Sequence, residues 1–318
     1  MNPTHSPWNL RKAARYLTLG TMVCFITSFA LYRASPPSIS SGYFQSIVSD
    51  FAGRANPSVD INFDEDLRLD GVEVVELHTK SANVLVEAAP GASAHYRVHA
   101  RFPVKPTSTG VVNVPGKFDT SQYFHQVREG NRLKLTLDDQ TDDPSGFRFD
   151  TDETQSHLTL ALPATFVGQL ILQSVSGNLD AGSIEATALT ANSVSGNIGI
   201  QGLRLKTFFA ITVSGNLKFD GQAGLVEGKS TSGDLNLTLA NQPASVRATS
   251  VSGDLRVRFP NTPDAQYTVH TVSGDVEFPK AWGVPRDEDS SRKSISGKVG
   301  KGTGLIEAKS VSGDIQFE

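Results

Sequence analysis

Eight side chains that can bond or carry charge recur at near-equal steps in the second half of the chain: Asn178, Asn197, Asn216, Asp234, Asp254, Asp275, Lys298 and Asp314. Each follows a glycine, and those glycines step by 19, 19, 18, 20, 21, 23 and 16 residues. If the positions stack, asparagines bond along the column. Carboxylates about 5 Å apart repel unless water or a cation separates them. Asp234, Asp254 and Asp275 are therefore where a calcium ladder would form. The competing assignment is solvated turn carboxylates that accept from local backbone NH groups. It is preferred, because the Gly-Gly-x-Gly-x-Asp phrase of calcium-binding repeats is absent. No metal and no cofactor is expected.

Hydroxyls flank each of these glycines, as in Ser174 and Ser176, Ser193 and Ser195, or Ser250 and Ser252. A nucleophilic serine is singular, whereas these recur in every unit, so they read as structural. Of the histidines, His95 and His99 share one face of a strand, with no third ligand in view. His78, His125, His157 and His270 read as surface or strand-filling residues. The longest step between repeats holds an insertion, residues 279–293, with Trp282, Arg286, Asp287 and Arg292. Such a loop could hold a ligand such as a glycan; a tolerated surface insertion is the alternative. It has no clear acid–base pair, and nothing else marks the chain as an enzyme.

The elements that position these residues follow from the phrase itself. Ser250-Val251-Ser252-Gly253-Asp254-Leu255 has seven close relatives, and the apolar residues around it alternate with period two, the mark of a strand. Upstream, Val246 and Ala248 fall in the opposite phase to Val251 and Leu255. A strand cannot change its inward face without a bend, so each unit needs two strands and a corner, placed at the Ser–Val step. A unit of about 19 residues that turns and regains its phase is one coil of a solenoid. The expected fold is all-β: a parallel β-helix of about eight regular coils over residues 164–318. Val175, Val194, Val213, Val251, Val272, Ile295 and Val311 would form one internal column, and the Leu179-to-Ile315 series another. A propeller blade needs about 40 residues, and a plain sandwich needs no such strict phrase.

Residues 60–163 read as degraded units that cap the stack, with Thr79-Lys80-Ser81-Ala82-Asn83-Val84 following the template and Ala in place of Gly. Two polar stretches, 103–122 and 138–153, interrupt them. At the other end the chain stops three residues after Ile315, inside a strand. Ile315 and Phe317 are expected on an open edge through which a second copy or another protein could pair.

Residues 16–32 are uncharged and largely apolar, at the short end of what spans a bilayer. Arg11, Lys12 and Arg15 precede them. The positive-inside rule then makes residues 1–15 cytoplasmic and the rest exported; residues 16–32 read as a single transmembrane signal anchor, with a signal peptide cleaved after Ser28-Phe29-Ala30 and a lipid anchor at Cys24 as the alternatives. Residues 33–59 read as a Ser/Pro-rich spacer with a short helix around 43–51. Beyond residue 35 the chain carries 25 basic against 33 acidic residues, which argues against nucleic acid as a partner. The lone cysteine, Cys24, lies in the apolar stretch, so the exported body has no disulfide.

The repeated Ser-Val-Ser-Gly-Asp phrase behind an N-terminal apolar segment resembles the bacterial "putative adhesin" family, a domain of unknown function, over residues 72–318. The resemblance implies a β-solenoid in the cell envelope and brings no catalytic residues. Asn at the first three units and Lys298 in the seventh depart from the family phrase. The function expected is a non-catalytic, membrane-anchored envelope scaffold for an envelope protein or a glycan. The rivals are a polysaccharide-acting β-helix enzyme and a self-assembling envelope scaffold.

Overall fold

The computed structural model describes residues 45–47, 58–103, 124–137, 156–163, 166–284 and 294–318. The chain forms β1 (Gln45–Ile47), β2 (Ser58–Leu67), β3 (Val74–Thr79), β4 (Asn83–Ala88) and β5 (Ala94–Pro103). Next come β6 (Phe124–Glu129), β7 (Arg132–Leu137), β8 (His157–Leu162), β9 (Gln169–Ser174), β10 (Leu179–Gly182) and β11 (Ala188–Ser193). Two long strands, β12 (Ile198–Thr212) and β13 (Leu217–Ser232), each run from one corner to the next. They are followed by β14 (Leu235–Leu239), β15 (Ser245–Ser252), β16 (Leu255–Arg258), β17 (Ala265–Ser273) and β18 (Val276–Glu277). A 3-10 turn, Lys280–Trp282, precedes β19 (Ser294–Val299), β20 (Gly304–Ser312) and β21 (Ile315–Phe317).

The strands stack into two faces that meet at the repeated phrase. Strands before the corner run in the order β6, β7, β3, β9, β11, β12, β13, β15, β20, β17, β19. Those after it run β1, β2, β5, β8, β4, β10, β12, β13, β14, β16, β21, β18. From β7 to β17 on the first face, and from β8 to β18 on the second, every pairing is parallel. The middle of the molecule is thus a β-solenoid, closed at both ends by antiparallel strands.

The spatial order departs from chain order at both ends. The pair β3/β4 sits between β7/β8 and β9/β10. The last pair, β20/β21, sits between β15/β16 and β17/β18. The open C-terminal edge expected at Ile315 and Phe317 is therefore not observed: both residues are 3% exposed or less, and Ile315 has a strand on either side while Phe317 pairs with Val257. The seventh phrase, Ser294–Val299, is not a coil either. It runs antiparallel to β17 as the outermost strand, so seven of the eight phrases turn regular corners.

The core is one apolar column system. On the first face Leu170, Leu189, Phe208, Val226, Val246 and Ile306 are buried; on the second, Leu179, Ile198, Leu217, Leu235, Leu255 and Ile315. The Val175-to-Val311 column is a correction. Val175, Val251, Val272 and Val311 are 39–44% exposed, and Val194 and Val213 are half-buried. Inward alternation continues from Val246 and Ala248 to Ser250, and the chain bends after the valine rather than before it. Ser174, Ser193, Thr212, Ser230, Ser250, Thr271 and Ser310 occupy the buried place assigned to the valines.

Residues 43–51 were expected to hold a helix, but Gln45–Ile47 is a strand paired to β2. The apolar stretch 16–32 and the polar stretches 104–122 and 138–153 lie outside the described residues, among which no helix is long and apolar enough to cross a membrane.

Candidate functional site

The repeated Asn and Asp residues form a continuous hydrogen-bonded rail. Asn83 Oδ1 accepts from the backbone NH of Asn178 at 2.8 Å, and Asn178 Oδ1 from that of Asn197 at 2.8 Å. The rail continues from Asn197 to Asn216, Asn216 to Asp234, Asp234 to Asp254, Asp254 to Asp314, and Asp314 to Asp275, at 2.8–3.0 Å. Each side chain thus satisfies an NH of the next coil rather than one of its own turn. Asn and Asp serve equally because only one acceptor oxygen is needed. Lys298 escapes the rule because its strand is antiparallel.

The calcium alternative centred on Asp234, Asp254 and Asp275 meets two facts. Asp314 stands between Asp254 and Asp275, and one oxygen of Asp234, Asp254 and Asp314 already accepts an NH. Among the described residues no group of three or more His, Cys, Asp or Glu gathers as a metal cluster.

The glycines explain themselves by distance. A Cβ on Gly196 would lie 2.0 Å from Gly177 O, one on Gly215 2.1 Å from Gly196 O, and one on Gly233 2.1 Å from Gly215 O. The buried hydroxyl before the corner caps it in two of the coils. Ser193 Oγ and Thr212 Oγ1 accept the NH of Gly196 and Gly215. In the later coils Gly253 and Gly313 take φ near +140° and give their NH to the next coil's serine carbonyl. There the hydroxyls of Ser250 and Ser310 have no hydrogen-bond partner.

Of the loop candidates, Trp282 is buried and closes the core. Its ring packs against Phe259, Phe278, Tyr267 and Phe317 at centroid distances of 5.2–6.4 Å. It is therefore unavailable as a ligand platform. Arg286, Asp287 and Arg292 lie outside the described residues.

A cavity of about 730 Å³ lies elsewhere, near the N-terminal end of the stack. Its floor is Leu67, Val72 and Phe166, all buried. Asp66, Arg68, Asp70 and Glu73 line it, and Val167 at its rim is 65% exposed. The turn at Gly71, with φ +68°, carries the chain from Asp70 to Glu73. Asn131 donates to Glu73 Oε2 at 2.6 Å, and Thr187 Oγ1 is committed to Val167 O at 2.7 Å. Three carboxylates and one guanidinium over an apolar floor can hold a ligand by charge and contact; no hydroxyl among the described residues is paired there with a base. Sequence reasoning missed this cavity because its walls come from segments about 100 residues apart. The outward Val167 and the Asp66–Glu73 charge cluster were its only visible signals.

Parallel strand pairs, an Asx rail and a glycine corner define an all-β, solenoid-like protein. The chain belongs to the Toastrack DUF4097 family, whose model matches residues 102–224 and 170–318. No curated protein matches the sequence. Among solved structures it is similar to a "putative adhesin" from Bacteroides fragilis, at 14% identity and TM-score 0.48, covering 81% of this chain and 97% of that one. It is also similar to a "putative cell adhesion protein" from Clostridium sporogenes, at 11% identity and TM-score 0.33, covering 80% and 97%. A third is a "putative lipid binding protein" from Parabacteroides distasonis, at 13% identity and TM-score 0.38, covering 80% and 94%.

Proposed function

We propose that this protein is a non-catalytic envelope scaffold: a rigid β-solenoid, anchored by residues 16–32, that binds an envelope protein or glycan on the far side of the cytoplasmic membrane. The observation that carries the reading is the rail. The recurrent polar side chains of the corner accept backbone NH groups of neighbouring coils, so the repeat supplies stiffness and regularity rather than chemistry. Recognition is left to a localised surface, and the groove lined by Asp66, Arg68, Asp70 and Val167 offers one. The charge asymmetry around the N-terminal apolar stretch supports the orientation.

Two measurements test this. A phosphatase fused after residue 60 should be active, and a reporter that works only in the cytoplasm should be silent there; the reverse pattern would overturn the topology. Full-length protein incubated with envelope polysaccharides should retain a ligand without releasing new reducing ends. Turnover would replace the scaffold reading with the polysaccharide-acting alternative.

A further inference from the structure

The valines of the repeated phrase form a ridge on the outside of the stack. In spatial order the residue at the corner is Val175, Val194, Val213, Thr231, Val251, Val311 and Val272. Val175, Val251, Val311 and Val272 are exposed, and Val194, Val213 and Thr231 are half-buried. Lys80 holds the same place one coil before Val175 and ends the apolar run. Along the ridge, β-branched side chains repeat at about 4.8 Å, the separation of paired strands. They are stiff at χ1, so covering them costs little side-chain entropy.

The rail runs beside this ridge, three residues further along each coil. Read along the stack it is Asn178, Asn197, Asn216, Asp234, Asp254, Asp314, Asp275. All but the half-buried Asn178 are exposed. The rail uses one oxygen of each residue before Asp275. Among the described residues no hydrogen bond uses the asparagine Nδ2 groups or the second oxygens of Asp234, Asp254 and Asp314. An Nδ2 donates and a carboxylate accepts, so this order is its own complement when reversed. Asn178 then faces Asp275, Asn197 faces Asp314, and Asn216 faces Asp254. A two-fold axis at Thr231, perpendicular to the stack, lays one ridge antiparallel on another with both rails on the same side. It makes each of those pairings twice, and sets Val175 over Val272, Val194 over Val311 and Val213 over Val251. A parallel two-fold puts the rails on opposite sides of the ridge and gains none of them. Asp234 meets its own copy at the antiparallel axis, the one like-charge contact in the rail.

We infer that the valine ridge docks a second copy of this chain, antiparallel about a two-fold axis at Thr231. Self-complementarity of one patch is what such an isologous contact requires. Six steps of about 4.8 Å by four strand residues of about 3.3 Å give a strip of roughly 29 by 13 Å. Its burial, on the order of 800 Å² over both partners, is at the low end for protein contacts. The dimer is therefore weak and concentration-dependent, and its register is set by the rail rather than by the valines, which repeat identically at every coil.

The test is oxidative cross-linking of full-length, detergent-solubilised protein carrying single cysteines in a Cys24→Ser background. Sedimentation across concentration gives the dimer Kd, and thermal melts confirm folding. Thr231→Cys should form a disulfide-linked dimer by itself. Val175→Cys and Val272→Cys should each stay unlinked alone and link to one another when mixed. Asp234→Asn keeps the rail acceptor and removes the like-charge contact, so it should lower the dimer Kd at least threefold. Val213→Ser combined with Val251→Ser should raise it at least tenfold. Self-linking of Val175→Cys would mean parallel pairing and overturn the assignment. An unchanged Kd in either folded aspartate or valine variant would overturn it as well. Folded protein whose thiols never link overturns it too: thiols open to alkylation mark a bare ridge, and shielded ones mark a glycan or another protein in place of the second copy.

Discussion

At the residue scale, the phrase encodes clearance and capping. Gly215 to Ala places a methyl 2.1 Å from Gly196 O, a backbone atom that cannot step aside alone. The expected cost is about 2–3 kcal/mol by urea unfolding, whereas Gly91 to Ala, with nothing within 4 Å, should be neutral. The two apolar positions of the phrase should also separate. Leu255 is fully buried, so Leu255→Ala should cost roughly 3 kcal/mol. Val251 is 39% exposed, so Val251→Ser should cost about 1 kcal/mol or less. Equal midpoint shifts would show that the valine column is inward after all.

At the element scale, the decisive feature is the last strand pair. The turn from β19 to β20 is held by Asp264, whose Oδ1 accepts from the NH groups of Gly302 at 2.6 Å and Thr303 at 3.3 Å. That turn returns the chain so that β20 pairs with β15 on one side and β17 on the other. Phe317 then reaches the aromatic end of the core, 5.2 Å from both Phe278 and Trp282. Phe317→Asp would bury a carboxylate among rings, a cost of several kcal/mol. It should expose Trp282, seen as a red shift in tryptophan emission, and speed hydrogen exchange in β15 and β17 together. Loss of protection in β21 alone would show that the pair is a peripheral addition rather than a wedge.

At the scale of the whole molecule, the two ends differ in what protects them. The C-terminal end is sealed by the ring cluster, and the N-terminal end carries a buried ion cluster. Glu76, only 7% exposed, meets His78 Nε2 at 2.5 Å and Arg132 at 2.9 Å. The His78 hydrogen bond, then the charges of His78 and Lys134 and the Arg132 bond, hold the Glu76 carboxyl at about 2 against burial, which opposes them. A carboxyl depressed in the folded state binds its proton more weakly there than when unfolded. Its stabilisation is therefore complete above the ordinary value of 4.5 and is lost as pH falls toward 2. Glu76→Gln should flatten the acid limb of the stability curve between those values while lowering stability at neutral pH. An unchanged acid limb would show that Glu76 does not contribute to acid unfolding.

The sequence by itself determined the repeat, the strand character, the need for a corner though not its exact step, and one of the two core columns. These are local properties: a period of two, a glycine that nothing else can replace, and a phrase recurring every coil. It also pointed to the degraded units, since Thr79 and Asn83 pair with Ser174 and Asn178 as the template requires. The valine column went wrong because serine is small enough to be inward yet polar enough to read as outward. Its hydroxyl meets the NH of a glycine three residues on at Ser193 and Thr212, and in the other five coils it is buried without a partner, which no local pattern announces. Only the tertiary structure decided the order of the coils. Parallel strands of near-identical sequence are interchangeable locally, so which neighbour each one takes is set by long-range closure. The Asp264 turn carries the last pair inward, and an antiparallel seventh phrase covers the end. The same closure sets Asp314 between Asp254 and Asp275, an order along the rail that no spacing in the chain announces.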